Sequence, residues 1–336
     1  MVKIGIVGVG HLGKIHLTCL KQIQEFELIG FYDTNPAIIA DIESEYNIPH
    51  FDNLDRLISL CDAVDIVSPT IYHHQLGMQA LKQGKHIFLE KPITARLEEA
   101  QGIVQYSKQH NLKVQVGHVE RFNDAYLNAK NHVGTPLFVE AHRLAEFNPR
   151  GTDVSVVLDL MIHDLDILLS IIPYPIDSIS ASGVSVISGQ PDIANARINF
   201  SNGAVANLTA SRIALKKMRK MRLFQPNAYI TMDFMQKKTD IMHLRDYRPE
   251  DEQDFLPLIL DLGENKGKKR IFIESPNDIQ VNAIATELSL FAQSILNNKP
   301  CEVSAEDGYK ALQVAYRIMD CMKKQAELAQ HNMNII

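Results

Sequence analysis

The feature that most constrains this chain is a glycine-rich turn between a short apolar run and a helical pattern close to the N-terminus. Residues 3–7 read KIGIV, residues 8–13 read GVGHLG, and apolar residues recur at helical spacing from 15 to 23. A GxGxxG turn between a strand and a helix is typical of the βαβ unit that binds a dinucleotide. The pattern therefore predicts that the chain opens with a parallel, doubly wound α/β domain.

Each glycine of this turn has its own physical task. Gly8 permits the tight turn, Gly10 lets a pyrophosphate approach the backbone, and Gly13 lets the helix pack closely on the strand. His11 and Leu12 lie at the start of the helix, where free backbone amides bind phosphate. We therefore predict that residues 8–13 bind a cofactor. The alternative is a glycine-rich turn of an α/β domain that binds no ligand.

An acidic residue stands twenty positions after the last of these glycines. Asp33 follows the second predicted strand, 27–32, where its carboxylate can accept hydrogen bonds from the adenosine ribose hydroxyls. It would repel a 2′-phosphate, and the neighbouring Thr34 and Asn35 offer no arginine to receive one. The sequence therefore predicts NAD rather than NADP. An ordinary helix N-cap is the alternative role of Asp33.

The rhythm of strands and helices changes near residue 120. Before it, strands predicted at 3–7, 27–32, 63–67, 86–89 and 113–116 alternate with helices at 15–23, 37–46, 74–83 and 97–110. Such alternation predicts a parallel sheet covered on both faces, a Rossmann domain over residues 1–120.

From residue 121 to 336 we predict an α+β domain for substrate binding and oligomerisation, built on a large, open and mainly antiparallel sheet. Its strands are expected at 137–144, 178–187, 194–200, 204–211, 220–224 and 228–233, with a hairpin turn at 201–203. Helices are expected at 156–171, 281–297 and 305–330, and the last two are candidates to pack back on the first domain. The segment 245–270 is charged and poorly periodic, which indicates a loop or a weak strand.

Composition excludes several classes of function. Of 336 residues, 46% are hydrophobic and 22% charged, and the net charge is -6, so no global field favours nucleic acid or an anionic membrane. The four cysteines show no CxxC spacing, which indicates reduced thiols rather than zinc ligands. No signal-peptide pattern begins the sequence, and charged residues interrupt the longest apolar stretch, 156–172. We expect a cytoplasmic protein whose partner is a small molecule, with neither nucleic acid nor membrane as a ligand.

Further motifs resemble a known family. Residues 68–73 read SPTIYH, residues 80–86 read ALKQGKH, and residues 90–92 read EKP. The combination resembles the glucose–fructose oxidoreductase and inositol dehydrogenase family (Gfo/Idh/MocA), over essentially the whole chain. This resemblance implies an oxidoreductase that transfers hydride between nicotinamide and a secondary hydroxyl or ketone of a sugar or sugar nucleotide. It also implies that the cofactor site includes Ser68, Pro69, His73, Glu90 and Lys91.

The resemblance assigns the chemistry to two further positions. It implies that Lys91 reaches the nicotinamide ribose and the reacting hydroxyl, where an ammonium stabilises a developing alkoxide. Residues 159–166, DLMIHDLD, resemble the family pattern DxGxHxxD, in which His163 is the general acid/base and Asp159 supports the substrate or the histidine. Helical spacing would let Asp159, His163 and Asp166 share one face, and Met161 replaces the glycine of the pattern.

Other interpretations of this helix remain open. A histidine on an apolar helix is commonly a satisfied core residue, and its aspartates can be caps or ion-pair partners. An HxxD-type metal site is a further alternative, but no additional ligand cluster supports it, so we predict no metal.

The segment 143–155 before this helix is similar to the branch of the family that oxidises C3 of UDP-N-acetylglucosamine to feed an aminotransferase. Arg143 or Arg150 would bind the diphosphate, Asp166 would contact substrate, and Arg121 resembles the family's RRF-type segment that lines the cleft. Ion pairs of the arginines with Glu140, Glu146 or Asp153 are the alternative.

Three questions stay open at this stage. The basic cluster at 216–222 fits a solvated edge strand, a phosphate site or an oligomer contact. Rival functions are a dehydrogenase of a free sugar or cyclitol such as inositol, and a dinucleotide-sensing regulatory protein without activity. An open sheet needs cover, and the resemblance implies a homodimer or homotetramer formed through it.

Overall fold

The computed structural model describes residues 1–148, 154–253, 258–263 and 267–333. The chain forms two compact units, Met1–Phe122 with Val281–Val314, and Asn123–Gln280 with Ala315–Ile336. Each unit contains one β-sheet. No helix in the described ranges has the length and apolarity needed to cross a bilayer.

The first unit is built on a five-stranded parallel sheet in the order β2-β1-β3-β4-β5. Its strands are β1 (Val2–Val7), β2 (Phe26–Tyr32), β3 (Ala63–Ile66), β4 (His86–Glu90) and β5 (Val114–Gly117). Every residue of β3 and β5 is buried, as expected of strands covered on both faces. This confirms the doubly wound fold. The strand order reverses at β1, and open α/β sheets bind ligands beside such a point, at the carboxyl ends of the strands.

Helices cover this sheet, and most were predicted within a few residues of their ends. They are α1 (His11–Leu20), α2 (Pro36–Tyr46), α3 (Leu54–Leu60), α4 (His73–Lys82) and α5 (Leu97–Gln109), joined later in the chain by α8 (Ala283–Leu296). The seven-residue α3 was not predicted, because it is too short to show a helical period. Its cap is a local signal, since Asn53 accepts the N–H of Arg56 at 3.1 Å. In α8, Phe291 packs on Phe26 and Phe88 of the sheet.

The second unit is built on a nine-stranded sheet in the order β13-β14-β12-β11-β10-β6-β9-β8-β7. Its strands are β6 (Phe138–Leu144), β7 (Ile176–Val184), β8 (Ile193–Phe200), β9 (Val205–Ser211), β10 (Met218–Gln225), β11 (Ala228–Asp233), β12 (Lys238–Asp246), β13 (Leu258–Asp261) and β14 (Lys268–Glu274). Only β6 and β9 pair in parallel, so the mainly antiparallel sheet is confirmed. The predicted hairpin turn joins β8 to β9, with Gly203 at φ +84°.

Three helices complete the assignment: α6 (Asp124–Lys130), α7 (Ile162–Ile171) and α9 (Ala305–Met333). A π-helical segment, Val157–Met161, leads directly into α7. The helix predicted at 156–171 is therefore present, but its first part is wound more widely than an α-helix.

Part of the second unit was missed from sequence. The expectation of a loop or weak strand at 245–270 was incomplete, because β12 ends there, β13 lies within it and β14 begins there. Charged residues interrupt β12 and β14, and β13 has only four residues, so the period of two is hard to recognise. The inward residues of β12, Thr239 and Ile241, are buried, and β12 packs against α6, which was also not predicted. Tertiary packing thus supplies what local propensity lacks.

Candidate functional site

The glycine turn of the first unit has the shape that a bound pyrophosphate requires. Gly8 has φ +88°, and a Cβ there would lie 2.8 Å from the Ser68 nitrogen. A Cβ on Gly13 would collide with the Gly8 carbonyl oxygen, so neither position accepts a side chain. Gly10 differs, because no atom lies within 4 Å of where its Cβ would stand. The open space beside Gly10 lets a ligand reach the backbone.

The start of α1 also fits an anion. Gly10 is its N-cap and provides no side-chain hydrogen bond, and the first turn contains no acidic residue. His11 and Leu12 are exposed there. The N–H groups of the first turn and the positive end of the helix dipole therefore meet no carboxylate from the first turn itself. These residues fit the pyrophosphate of a dinucleotide.

Asp33 lies at the carboxyl end of β2 and organises the same turn. Its Oδ2 accepts the N–H of Val9 at 2.9 Å, and its Oδ1 accepts the N–H of Asn35 at 2.9 Å. The N-cap of α2 is Asn35, which accepts the N–H of Ala37 at 3.0 Å. Asp33 is therefore not the cap of this helix. It is partly exposed, and each oxygen retains capacity to accept a further hydrogen bond.

His73 joins the two loops that follow β3 and β4. Its Nε2 lies 2.8 Å from the Ser68 carbonyl oxygen and its Nδ1 lies 2.9 Å from the Pro92 carbonyl oxygen. The ring is 1% exposed, and burial lowers the pKa of His73. Both nitrogens face carbonyl oxygens, and a neutral imidazole donates to only one of them, so His73 shapes the predicted cofactor site by one hydrogen bond and by its close packing between these loops. Pro69, which follows Ser68 in the loop after β3, is exposed.

Lys91 stands at the carboxyl end of β4, on the sheet edge that also bears the glycine turn. It is half-buried, and the Lys91–Pro92 peptide bond is cis. The preceding Glu90 ends β4, and its Oε2 accepts the backbone N–H of Lys91 at 3.2 Å. The residues on either side of Lys91, Glu90 and Pro92, thus constrain its backbone.

The second unit carries the DLMIHDLD segment on the π-helical turn and the start of α7. Asp159 is exposed and His163 is half-buried, whereas Asp166 is only 1% exposed. The three residues thus differ in their access to solvent. Met161 is fully buried. A methionine where the family pattern has glycine thus fills core volume. π-helical turns occur frequently at functional sites.

The predicted substrate arginines have different surroundings. Arg143 is 2% exposed and forms a two-point ion pair with Asp164, with Nε–Oδ2 at 3.0 Å and Nη2–Oδ1 at 2.8 Å. Its predicted contact with a diphosphate would require this pair to open. Arg150 lies outside the described residues. Arg121 is half-buried in a 3₁₀ turn, Val119–Phe122, at the end of the first unit's N-terminal segment.

The basic cluster at 216–222 lies on and beside β10, where several of its charges are paired. Arg222 contacts Glu140 of β6 at 2.7 Å, and Lys220 contacts Asp233 of β11 at 3.0 Å. Lys217 lies 3.7 Å from Glu146. Glu140 and Glu146, offered from sequence as partners of Arg143 or Arg150, thus pair with this cluster.

Comparison with known proteins identifies the family. The GFO/IDH/MocA model described as an oxidoreductase family with an NAD-binding Rossmann fold matches residues 2–118. The GFO/IDH/MocA C-terminal domain matches residues 127–230. The chain belongs to the GFO/IDH/MocA oxidoreductase family. The resemblance noted in the sequence is thereby confirmed, and with it an oxidoreductase of the class that acts on sugar hydroxyls.

Individual relatives match along nearly the whole chain. UDP-N-acetylglucosamine 3-dehydrogenase of Acidithiobacillus ferrooxidans is 32% identical over 94% of this chain and 96% of its own. Its solved structure superposes with a TM-score of 0.85 at 30% identity, covering 96% and 98% of the two chains. Scyllo-inositol dehydrogenase from Lactobacillus casei, solved with NAD(H) and scyllo-inositol, has a TM-score of 0.76 at 26% identity, covering 97% and 98%.

Sequence reasoning missed two groups of metal-ligating or ionisable side chains. His132, His243 and Glu274 meet in the second unit, where His243 Nε2 lies 3.1 Å from Glu274 Oε2. His16 and Glu287 meet at Glu90 in the first unit. The members of each group are far apart in sequence, so no short motif in the sequence indicates that they meet.

Proposed function

We propose that the protein oxidises the C3 hydroxyl of UDP-N-acetylglucosamine to a ketone, reversibly, with NAD as its cofactor. The observation that carries this proposal is the end-to-end match to the dehydrogenase of Acidithiobacillus ferrooxidans that bears this activity in its name. That relative is 32% identical over 94% of the chain, whereas the myo-inositol 2-dehydrogenase of Thermotoga maritima is 24% identical over the same share.

The choice of NAD over NADP depends on Asp33. Its carboxylate lies at the carboxyl end of β2, where the adenosine ribose of a dinucleotide is expected. A 2′-phosphate there would meet a negative charge, and Thr34 and Asn35 offer no cation to compensate. Two ribose hydroxyls would instead donate hydrogen bonds to Asp33.

The remaining cofactor contacts follow from the same sheet edge. We assign the pyrophosphate to the backbone of Gly10, His11 and Leu12, which the open side of Gly10 leaves accessible. Ser68, Pro69, Glu90 and Lys91 would line the nicotinamide half, on loops that His73 holds together. At this edge the residues would hold NAD, whose nicotinamide would supply the acceptor for the hydride that leaves C3.

The chain's own side chains manage the proton and the charge. His163 accepts the proton of the C3 hydroxyl as the C–H electron pair leaves as hydride, so the alcohol becomes a ketone and the imidazole becomes imidazolium. The Lys91 ammonium stabilises the negative charge that develops on the oxygen. Asp159 orients His163 or binds a neighbouring hydroxyl.

Substrate recognition is assigned to polar groups from both units. Arg121 and Arg150 are the candidates for the diphosphate, since a guanidinium binds phosphate at two points. Arg143 joins them only when its pair with Asp164 opens. Asp166 of α7, which is 1% exposed, is the remaining candidate for a contact with the substrate.

We also propose that the protein is a homodimer or homotetramer assembled through the nine-stranded sheet. The strands β6, β10 and β11 expose a row of aromatic side chains, with Phe224 packed between Phe138 and Tyr229 at ring distances of 5.6 and 4.7 Å. An apolar row on an open sheet is a typical self-association surface. Light scattering behind size exclusion would give the mass directly.

The test is NADH formation by the purified protein with NAD and a panel of UDP-N-acetylglucosamine, free hexoses and inositols. Lys91→Ala and His163→Ala are compared with Lys82→Ala, an exposed lysine at the end of α4, and His132→Ala, a half-buried histidine of the second unit. We expect turnover of the nucleotide sugar, a loss of about 100-fold or more in the first two variants, and little change in the controls.

Other outcomes are equally informative. Turnover of inositols alone would keep the mechanism and replace the substrate, in favour of the cyclitol dehydrogenase. NAD binding without turnover of any panel member would favour a dinucleotide-sensing regulatory protein. Equal losses in Lys91→Ala and Lys82→Ala would remove Lys91 from the mechanism.

A further inference from the structure

A cluster of four ionisable side chains lies inside the first unit, directly behind the Glu90–Lys91 turn. His16 comes from α1, Asp65 from β3, Glu90 from β4 and Glu287 from α8. His16, Asp65 and Glu287 are 0% exposed and Glu90 is 9% exposed. Three carboxyl groups around one imidazole in a core is an expensive arrangement unless the groups share protons and hydrogen bonds.

His16 stands between two of these carboxylates. Its Nδ1 lies 2.9 Å from Asp65 Oδ2, and its Nε2 lies 3.2 Å from Glu90 Oε1. The Nδ1 contact with Asp65 has hydrogen-bond geometry, whereas the Nε2 contact with Glu90 is a close approach without it. Burial alone would lower the pKa of His16, but the carboxylates of Asp65 and Glu90 raise it well above its usual value. The imidazole of His16 thus stands as a bridge between Asp65 and Glu90.

Glu287 completes the cluster from the opposite side. Its carboxyl oxygen, Glu90 Oε1 and His16 Nε2 lie within 4.8 Å of one another, and neither Glu287 oxygen has a hydrogen-bond partner among the described residues. Burial raises the pKa of Glu287 well above its usual value, and the Glu90 carboxylate raises it further. Both effects favour the protonated form of the Glu287 carboxyl, whose side chain fills the space beside Glu90 and His16.

Glu90 has close neighbours on three sides. His16 lies 3.2 Å from its Oε1, the Lys91 backbone N–H donates to its Oε2, and Gly117 stands opposite it on β5. A Cβ on Gly117 would lie 2.8 Å from Glu90 Oε1. On the other side of Lys91, His73 holds the Pro92 carbonyl oxygen at 2.9 Å. The backbone of Lys91 is therefore constrained both before and after the lysine.

We propose that His16, held by Asp65, and Glu287 keep the Glu90 carboxylate in one place and thereby position Lys91 for its reaction. This inference rests on the proposed function of Lys91. His16 and Glu287 touch neither substrate nor cofactor in this scheme, so they are positioning residues that act through Glu90.

The test is a double-mutant cycle with Lys91 in the full-length protein. We expect His16→Gln to lower kcat about ten-fold or more with KM and the NAD dissociation constant within about three-fold, because positioning acts on the transition state. In the Lys91→Ala background the same change should lower kcat less than about two-fold, since its target is gone. His110→Gln, an exposed histidine of the first unit, is the matched control.

Glu287 gives a second arm that separates positioning from packing. Glu287→Gln keeps the shape and neutrality of the protonated acid, so it should retain kcat within about three-fold, whereas Glu287→Ala should lose about as much as His16→Gln. Thermal unfolding of every variant shows which of them fold. Equal damage by Gln and Ala would contradict the neutral acid.

A third readout does not need turnover. Competitive chemical labelling followed by mass spectrometry measures the reactivity of the Lys91 amine, which we expect His16→Gln to raise about three-fold or more relative to Lys82. If Lys91→Ala leaves turnover intact, the proposed function fails, while labelling still tells whether His16 positions Lys91.

Two results would overturn the inference itself. One is a loss from His16→Gln that is equally large with and without Lys91, together with unchanged labelling. The other is a stoichiometric divalent metal in the purified protein, measured by mass spectrometry and required for turnover, because His16, Glu90 and Glu287 would then be its ligands.

Discussion

Replacing Asp33 by asparagine should change the preference between NAD and NADP. Asparagine keeps the size of the side chain and one acceptor oxygen but removes the charge. In the native protein both carboxylate oxygens already accept backbone N–H groups at 2.9 Å, from Val9 and Asn35. These two hydrogen bonds fix the position of the Asp33 side chain before the cofactor binds. Its contribution to the binding free energy of the cofactor therefore depends on its charge and on the number of hydrogen bonds it can still accept.

The magnitude follows from those two quantities. Hydrogen bonds to a charged group contribute about 1.5–3 kcal/mol, so losing one with the ribose weakens NADH binding by about 10- to 150-fold. Two charges about 4 Å apart repel by about 1–4 kcal/mol between the dielectric of water and that of a protein surface, so NADPH binding should improve. Together these changes should shift the NADH to NADPH affinity ratio by about two orders of magnitude or more.

The assay is titration of both reduced cofactors into the native protein and the variant, with calorimetric dissociation constants. Asp62→Asn is a matched control, because Asp62 Oδ2 also accepts a β1 backbone N–H at 2.9 Å, that of Lys3, at the opposite end of the strand. An unchanged affinity ratio in Asp33→Asn, with a loss of thermal stability like that of Asp62→Asn, would show that Asp33 only holds the glycine turn.

Three further predictions concern stability and reactivity. Removing either partner of the buried Arg143–Asp164 pair should cost about 3–5 kcal/mol, about 6–20 °C in Tm, whereas the double change Arg143→Met with Asp164→Leu should recover most of it. Burial alone would raise the pKa of Asp192, but the Ser188 hydroxyl and three backbone N–H groups hold it below its usual value. Because this folded pKa is lower than the unfolded one, the stabilisation exists above the unfolded value of about 4 and is lost as pH falls through the folded value. Urea unfolding at pH about 7 should therefore show Asp192→Asn to be less stable than the native protein, and the difference should shrink progressively as the pH is lowered below about 4. Burial raises the pKa of the Cys61 thiol to about 12, so a thiol reagent at pH about 8 should label it only after unfolding.

The first unit was predictable because its signals are local. The turn requires a positive φ at Gly8 and leaves no room for a Cβ at Gly13. Both requirements are visible in the sequence because glycine occupies these positions. The strands β3 and β5 are recognisable because most of their residues are apolar, as expected where both faces of a parallel strand are buried. The strands β12 to β14 lack such a signal, since their polar and charged residues pair across strands only after the sheet has formed.

The candidates for the site came from the same kind of local signal. Lys91 and His163 were proposed because each stands in a contiguous motif. The π turn beneath Asp159 and His163 was not foreseen, because helical spacing was assumed to be regular. The partner of Arg143 was placed among nearby acids, whereas the structure pairs it with Asp164, 21 residues away on α7.

The cluster around Glu90 shows the physical limit of local reasoning. His16 and Asp65 are 49 residues apart, and Glu287 comes from a helix near the other end of the chain, so each reads alone as an isolated charge in an apolar pattern. Every such charge contradicts the expectation for a buried position, where an apolar residue of similar size is commonly more stable. The core of the first unit nevertheless holds four ionisable side chains together directly behind the Glu90–Lys91 turn. Rules of folding are broken in this way mainly where function requires it, which is why these side chains behind Lys91 are the ones to mutate.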